Sequence, residues 1–239
     1  MSEPVVWVTG AAGGIGRAIT DAWVAAGARV VATDVRACGS GERVSGLACD
    51  VTSPSSVQAA IDECRRLGGI DVLVNCAGIM RRAHVLEMPV DAWDEVFDVN
   101  VRGPLLCSQA AAREMMARGG GGSIIHIGSV NAEKVFGDTV AYCSSKGALQ
   151  MLGRSMALAL APHDIRVNIV APGAIHDTNL EPARWQRPEE RASMIARTPL
   201  RTLGVASDVA GAVVFLGSAA ARFITGATLF VDGGRTASV

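Results

Sequence analysis

The single tyrosine of this 239-residue chain, Tyr142, stands four residues before Lys146, one of only two lysines. Apolar spacing predicts a helix over Thr139–Ala161 around them. Residues i and i+4 share a helix face, so phenol and ammonium point into the same space. With two lysines in the chain, that spacing arises by chance in roughly 1 % of arrangements, which favours chemistry over an ordinary packed ring. A free tyrosine, with a pKa of about 10, is a poor base near neutrality. A positive charge about 4 Å away, at an effective dielectric of about 20, favours the phenolate by roughly 4 kcal/mol, or about three pKa units. The pair therefore suits a general acid/base working near pH 7.

A second group of residues suits a diphosphate. Thr9-Gly10-Ala11-Ala12-Gly13-Gly14-Ile15-Gly16 follows a predicted strand and opens a predicted helix. Gly10, Gly14 and Gly16 permit a tight turn and close backbone approach, and the new helix offers free N–H groups to an anion. The next strand ends at Asp34, where a carboxylate can accept both hydroxyls of an adenosine ribose and repel a 2′-phosphate, which favours NAD over NADP. Arg36, two residues on, is the opposing feature. Asp50 either caps the helix after Pro54 or contacts adenine. Asn75-Cys76-Ala77-Gly78 is either a cofactor passage or a plain turn after a strand.

These groups need a scaffold, and the hydropathy pattern supplies one. Strands are predicted at Val5–Thr9, Arg29–Asp34, Val44–Cys49, Asp71–Asn75, Ser123–Gly128, Arg166–Val170 and Thr228–Val231. Helices are predicted at Gly14–Ala26, Pro54–Leu67, Val90–Arg118, Thr139–Ala161 and Ser207–Ser218. Ser53-Pro54 and Ser207 read as helix starts, and Gly27 and Gly68 as stops. Continuous apolar runs such as Val72-Leu73-Val74 are those of strands covered on both faces. The alternation predicts an α/β fold of one domain over 1–239, a doubly wound parallel sheet with helices on both faces. The irregular stretch 172–203 is expected to be a lid or substrate loop.

Composition narrows the function classes. The chain is 49 % hydrophobic and 19 % charged with a net charge of -1, which gives neither a nucleic acid nor an anionic membrane a basic surface. The 20 arginines are scattered. No apolar run is long enough to span a membrane, no signal segment is expected at the start, and six cysteines lack any metal-binding spacing. A cytoplasmic protein without a metal is expected.

Taken in order, Gly10 to Gly16, Asp34, Asp50-Val51, Asn75-x-Ala77-Gly78, Asn100, Ser129, Tyr142-x-x-x-Lys146, Pro172-Gly173 and Val231-Asp232-Gly233-Gly234 resemble the short-chain dehydrogenase/reductase family along the whole chain. The resemblance implies a hydride transfer between NAD(H) and a secondary alcohol or ketone. It makes Tyr142 the acid/base, Lys146 its electrostatic partner and ribose ligand, and Ser129 the holder of the substrate oxygen. Asn100 would fix a water near Lys146. The cofactor would meet Gly10, Gly14, Ile15, Gly16, Asp34, Asp50, Val51, Asn75, Ala77, Gly78, Pro172, Gly173 and Ile175, besides Tyr142 and Lys146. It also implies a homo-oligomer, a tetramer. Three positions depart from the family's usual pattern, one of them, Ser144 in place of a frequent alanine, neutrally. Cys76 stands for an asparagine, and Asp177 for a threonine that would hold the nicotinamide amide, with Thr178 one residue later.

Candidate walls of the substrate pocket are Met80 to His84, Val130-Asn131, Val135-Phe136, Ala174 to Asn179 and Trp185. Arg81, Arg82 and His84 are either solvated or at a subunit contact, or one of them recognises a substrate carboxylate. The run Ala77 to Ala83, followed by Trp93, is similar to sugar and sugar-acid dehydrogenases of the family. The alternatives are a 3-oxoacyl-carrier-protein-type ketone reductase and a non-catalytic dinucleotide sensor, the latter opposed by the presence of both Tyr142 and Lys146.

Overall fold

The computed structural model describes residues 3–36, 38–178, 180 and 185–238. Seven parallel strands form one sheet in the order β3-β2-β1-β4-β5-β6-β7. They are β1 (Val5–Thr9), β2 (Arg29–Asp34), β3 (Val44–Ala48), β4 (Val72–Asn75), β5 (Gly122–Ile127), β6 (Ile165–Pro172) and β7 (Thr228–Val231). The helices are α1 (Gly14–Ala25), α2 (Pro54–Arg66), α3 (Val90–Phe97), α4 (Gly103–Arg118), α5 (Val140–Leu160), α6 (Pro188–Ala196) and α7 (Ala206–Gly217). The chain steps outward from β1 to β3 and returns to the other side of β1 as β4. That reversal opens a crevice at the carboxyl ends of the strands.

The two-residue period of a strand sends alternate side chains to opposite faces. In β1, Val6 and Val8 join Ile19 and Trp23 of α1 and Val209 and Val213 of α7. Val5 and Trp7 instead join Val57 and Ile61 of α2 and Ala111 and Met115 of α4. Both layers are dry, which is why the central strands read as unbroken apolar runs.

Besides shifts of one or two residues at several element ends, three differences from the sequence pattern have a visible cause. The helix expected over Val90–Arg118 is interrupted by a π-helical turn, Asp98–Arg102. Pro104 lacks the N–H that would bond the Asn100 carbonyl four residues back, and a side chain at Gly103 would strike Val51 Cγ2, at 2.6 Å. Within 172–203 lies α6, with Pro188 in its first turn followed by Glu189 and Glu190. Proline there starts a helix rather than breaking it, and the acids favour that end. The stretch is therefore not irregular throughout. Finally, α7 starts at Ala206 rather than Ser207. Asp208 Oδ2 accepts from Val205 N at 2.9 Å, and Asp177 Oδ1 accepts from Ala206 N at 2.8 Å.

Candidate active site

A cleft of about 1020 Å³ lies along the carboxyl edge of the sheet. One end is the turn after β1. Gly10 has φ +67°, and a Cβ there would lie 2.7 Å from Ala77 Cα. A Cβ on Gly14 would collide with the Asp177 carbonyl, and one on Gly16 with the Gly10 carbonyl. Three backbones therefore meet at a turn that only glycine permits. The α1 N-cap, Gly13, supplies no side-chain acceptor, and no acid occupies the first turn. The first N–H groups are left for an anion from outside. Thr9 Oγ1 accepts from Cys76 N at 3.0 Å and from Ala77 N at 3.1 Å, tying the ends of β1 and β4 together beneath this turn. The fit to a dinucleotide diphosphate is good.

Asp34, Asp50 and Val51 line the same end. Asp34 is held in place, accepting from Ala12 N at 3.2 Å and from Arg36 N at 3.1 Å. The exposed Arg36 guanidinium also lies 3.5 Å from this largely buried carboxylate. Asp50 does not cap α2: Ser53 does, accepting from Ser56 N, while Asp50 Oδ1 accepts from Thr52 N at 2.9 Å and Thr52 Oγ1 at 2.8 Å. Ile15, Ala77, Gly78, Pro172, Gly173 and Ile175 line the cleft as well.

Asn75 is placed differently from the sequence expectation. Its side chain is buried under the cleft floor, where Nδ2 donates to Ser108 Oγ at 3.0 Å and meets His126 Nδ1 at 3.2 Å. It supports the strand ends and is not among the residues facing the cleft. Its position in β4 reads the same in sequence whichever way the side chain turns.

At the other end Tyr142 and Lys146 face one space from successive turns of α5. Lys146 Nζ is 5.6 Å from the Tyr142 ring centroid and donates to Ile127 O at 2.9 Å. Both are buried, 6 % and 5 % exposed. Burial pulls the Lys146 ammonium down to about 8, the nearby Cys76 opposing. Burial also lowers His126 beneath it to about 4, with the Lys146 charge adding to the effect. Ser129 follows β5 and lines the same cleft; its Oγ accepts from Asn131 N at 3.1 Å, leaving the hydroxyl hydrogen to donate.

Asn100 is fully buried in the π turn and lies behind the cleft wall. Its amide pairs with both backbone groups of Ile79, at 2.9 Å each, and donates to Ser145 Oγ at 3.0 Å. Ser145 in turn donates to Tyr142 O at 2.7 Å. One side chain thus ties the loop after β4 to α5. Ser145 was missed in sequence, where it reads as one of two ordinary serines between Tyr142 and Lys146.

The arginines after β4 are engaged. Arg81 meets Glu95 through two bonds, at 3.0 and 2.8 Å, and Arg82 meets Asp138 at 2.5 Å. Met80, Arg81, Val130, Asn131, Phe136 and Trp185 line the cleft as expected, whereas Arg82, His84 and Val135 do not. Asn179 lies outside the described residues. Met194 and Arg235 line it without having been expected. Met194 is remote in sequence from every motif named above, and Arg235 directly follows Val231-Asp232-Gly233-Gly234 without being part of it. No group of residues suited to a metal occurs among those described, nor does any helix there have the length and apolarity to cross a membrane.

A family model described as "Enoyl-(Acyl carrier protein) reductase" matches residues 10–236. D-erythrulose reductase of Gallus gallus is 37 % identical over 236 residues, covering 95 % of this chain and 93 % of that protein. The 3-oxoacyl-[acyl-carrier-protein] reductase FabG of Escherichia coli is also 37 % identical, over 238 residues and 96 % of each chain. The crystal structure of a gluconate 5-dehydrogenase from Burkholderia cenocepacia, in complex with NADP and tartrate, superposes with a TM-score of 0.91 at 35 % identity, over 100 % of this chain and 97 % of that one. The glycine turn, the Tyr142–Lys146 pair and these likenesses agree along the full chain, which belongs to the short-chain dehydrogenase/reductase family of oxidoreductases.

Proposed function

We propose that the protein interconverts a secondary alcohol and its ketone with NAD(H), that Tyr142 is the acid/base, and that the substrate is a sugar or sugar acid. The observation that carries this reading is the single cleft shared by Tyr142, Lys146 and Ser129 at one end and the glycine turn at the other. The bound nicotinamide supplies the hydride acceptor or donor. Tyr142 takes the proton from the substrate hydroxyl in oxidation and returns it in reduction. Lys146 favours the charged phenol, and Ser129 donates to the same substrate oxygen throughout. Asn100 holds a water near Lys146 through its carbonyl, which Pro104 cannot bond. Thr178, which lines the cleft, meets the nicotinamide amide, while Asp177 is committed to the start of α7.

NAD is preferred because the Asp34 carboxylate repels a 2′-phosphate. Arg36, the opposing cation, is 61 % exposed, so its attraction for that phosphate is weakened by solvent. Replacing Asp34 by Ser is expected to shift the ratio of kcat/KM for NAD over NADP by about 100-fold toward NADP. An unchanged ratio in steady-state assays with both cofactors refutes the assignment.

The sugar reading is supported by relatives such as the D-erythrulose reductase and by the gluconate 5-dehydrogenase neighbour. The equal identity to a 3-oxoacyl reductase keeps a ketoester substrate as the second reading. A panel of sugars, sugar acids, simple secondary alcohols and β-ketoesters, followed at the nicotinamide absorbance, decides between them.

The protein is further proposed to be a cytoplasmic homotetramer. All six cysteines are free thiols, as a reducing compartment keeps them. Met151 and Leu158 on the outer face of α5 are 61 % and 81 % exposed, and Phe223 is 96 % exposed, an apolar surface that a second copy would cover. Light scattering should return four times the 24.7 kDa chain mass; a monomer mass at micromolar concentration refutes the assembly.

A further inference from the structure

Among the described residues the buried asparagines are Asn75, Asn100, Asn131 and Asn168. Three of them bond framework groups through their amides. Asn75 meets Ser108 and His126, and Asn100 meets Ile79 and Ser145. Asn168 donates to Ile224 O at 2.8 Å and accepts from Ala227 N at 3.0 Å. Asn131 differs. It is 8 % exposed, and its side-chain amide has no hydrogen-bond partner among the described residues. A polar group buried to that degree is costly without a partner, so its presence needs a cause. Unlike the other three, Asn131 lines the cleft.

The local backbone fixes where that amide stands. Val130–Ala132 is a single tight turn directly after Ser129, with Ala132 N donating to Ser129 O at 3.1 Å and Lys134 N to Val130 O at 2.8 Å. The Asn131 N–H donates to Ser129 Oγ at 3.1 Å. The side chain is short, so its amide serves an oxygen on a carbon next to the one that Ser129 holds, not the far end of a substrate. Other polar side chains of the cleft are engaged: Arg81 with Glu95, and Arg235 over the Phe136 ring and with Met194 Sδ. A carboxamide both donates and accepts, as a hydroxyl does, whereas an ester carbonyl only accepts and a methylene does neither.

We infer that Asn131 is a specificity-determining residue whose amide binds a second substrate hydroxyl, on the carbon beside the reacting one. The substrate class is then a vicinal diol and its α-hydroxyketone. A simple ketone or a β-ketoester carries only hydrogens on that carbon, and once bound it leaves the amide dry and unpaired. This rests on the dehydrogenase reading above and deepens it, since it separates a sugar substrate from a ketoester.

The test compares two ketones that differ by that one hydroxyl, acetoin and butanone, by kcat/KM with NADH. Wild type should favour acetoin about 100-fold. Asn131→Leu, similar in volume but without polar atoms, should bring the ratio to within about threefold of unity, the loss falling on acetoin chiefly through KM. Asn131→Ser, which keeps a donor and an acceptor, should fall between; it also serves if the Leu variant does not fold. Because the amide bonds no described residue, the melting temperature of the Leu variant without ligand should match or exceed that of wild type. A role in the framework instead lowers stability and the rates on both ketones together, which counts against the inference. If neither ketone reacts, the same ratio is read on the best substrate of the panel above and its analogue lacking the neighbouring hydroxyl. A best substrate without that hydroxyl, a wild-type ratio near unity, or ratios untouched by the variants overturn the inference while leaving the dehydrogenase reading intact. Absence of nicotinamide-linked turnover across the whole panel overturns both.

Discussion

Replacing Tyr142 by Phe is expected to lower kcat about 1000-fold, within the range general acid/base groups supply, and to leave cofactor affinity within about threefold. The ring is 6 % exposed and packed in α5, so phenylalanine keeps the core and only the hydroxyl is lost. No other tyrosine exists in the chain to take over the proton. Lys146 keeps its bond to Ile127 O, which does not involve the phenol. The effect should therefore appear in the chemical step alone. Single-turnover absorbance measurements beside calorimetric titration with NAD separate the two quantities. Turnover at the wild-type rate sinks the assignment of Tyr142.

Lys146→Met should be almost as damaging to activity and, unusually for a buried position, harmless to stability near neutrality. Without the cation the phenol returns toward its ordinary pKa, so the acid limb of the rate of alcohol oxidation moves up by about one to three units. At pH 7 the rate falls about 100-fold or more. Stability follows the opposite logic. Lys146 titrates at about 8 in the folded chain against 10.5 in the unfolded one. Below pH 8 it is charged in both states, and the fold carries a desolvation cost of about 3 kcal/mol at 1.36 kcal/mol per unit. Methionine removes that cost and leaves Ile127 O unpaired, a loss of about 1–3 kcal/mol, so the two roughly cancel.

The dependence on pH is the sharper signature. Between about 8 and 10.5 the unfolded chain binds more protons at Lys146 than the folded chain does, so wild-type stability rises with pH in that window. The variant should lose this rise. On the acid side His126 is held at about 4 against 6.5, so the unfolded chain binds the extra proton and stability falls as pH drops from 6.5 toward 4. The Lys146 charge is the second cause of that depression after burial, so the variant should resist acid better. Urea denaturation at pH 4.5, 7 and 9.5 reads all three arms. A large loss of stability at pH 7, or unchanged acid sensitivity, counts against this account.

Lysine at this position illustrates a general trade. A buried ammonium is costly unless paired, and a carbonyl at 2.9 Å pairs it only in part. On the proposed mechanism, a charge beside Tyr142 would be worth more to the reaction than its burial costs the fold.

Much of the architecture was legible because its causes are local. Strand period, helix stops at Gly27 and Gly68, the Ser53-Pro54 start and the glycine turn each follow from short-range backbone preferences. The misreadings have local causes too. Pro188 reads as loop because proline breaks helices from within, yet in the first turn it starts one. The π turn at Asp98–Arg102 escaped notice because apolar spacing continues smoothly across it, while Pro104 and the tight approach of Gly103 to Val51 break the backbone ladder.

The alternation of elements, the glycine turn and the placing of Tyr142 beside Lys146 are readable in the chain because each follows from short-range spacing. Long-range packing alone fixes which way Asn75 turns, that Asn100 is clamped between Ile79 and Ser145, that Asp177 caps a helix while Thr178 lines the cleft, and that Arg235 stands over Phe136. Those contacts join residues from 21 to 99 positions apart. Their partners are set by how seven strands order themselves in a sheet, and no local preference encodes that order.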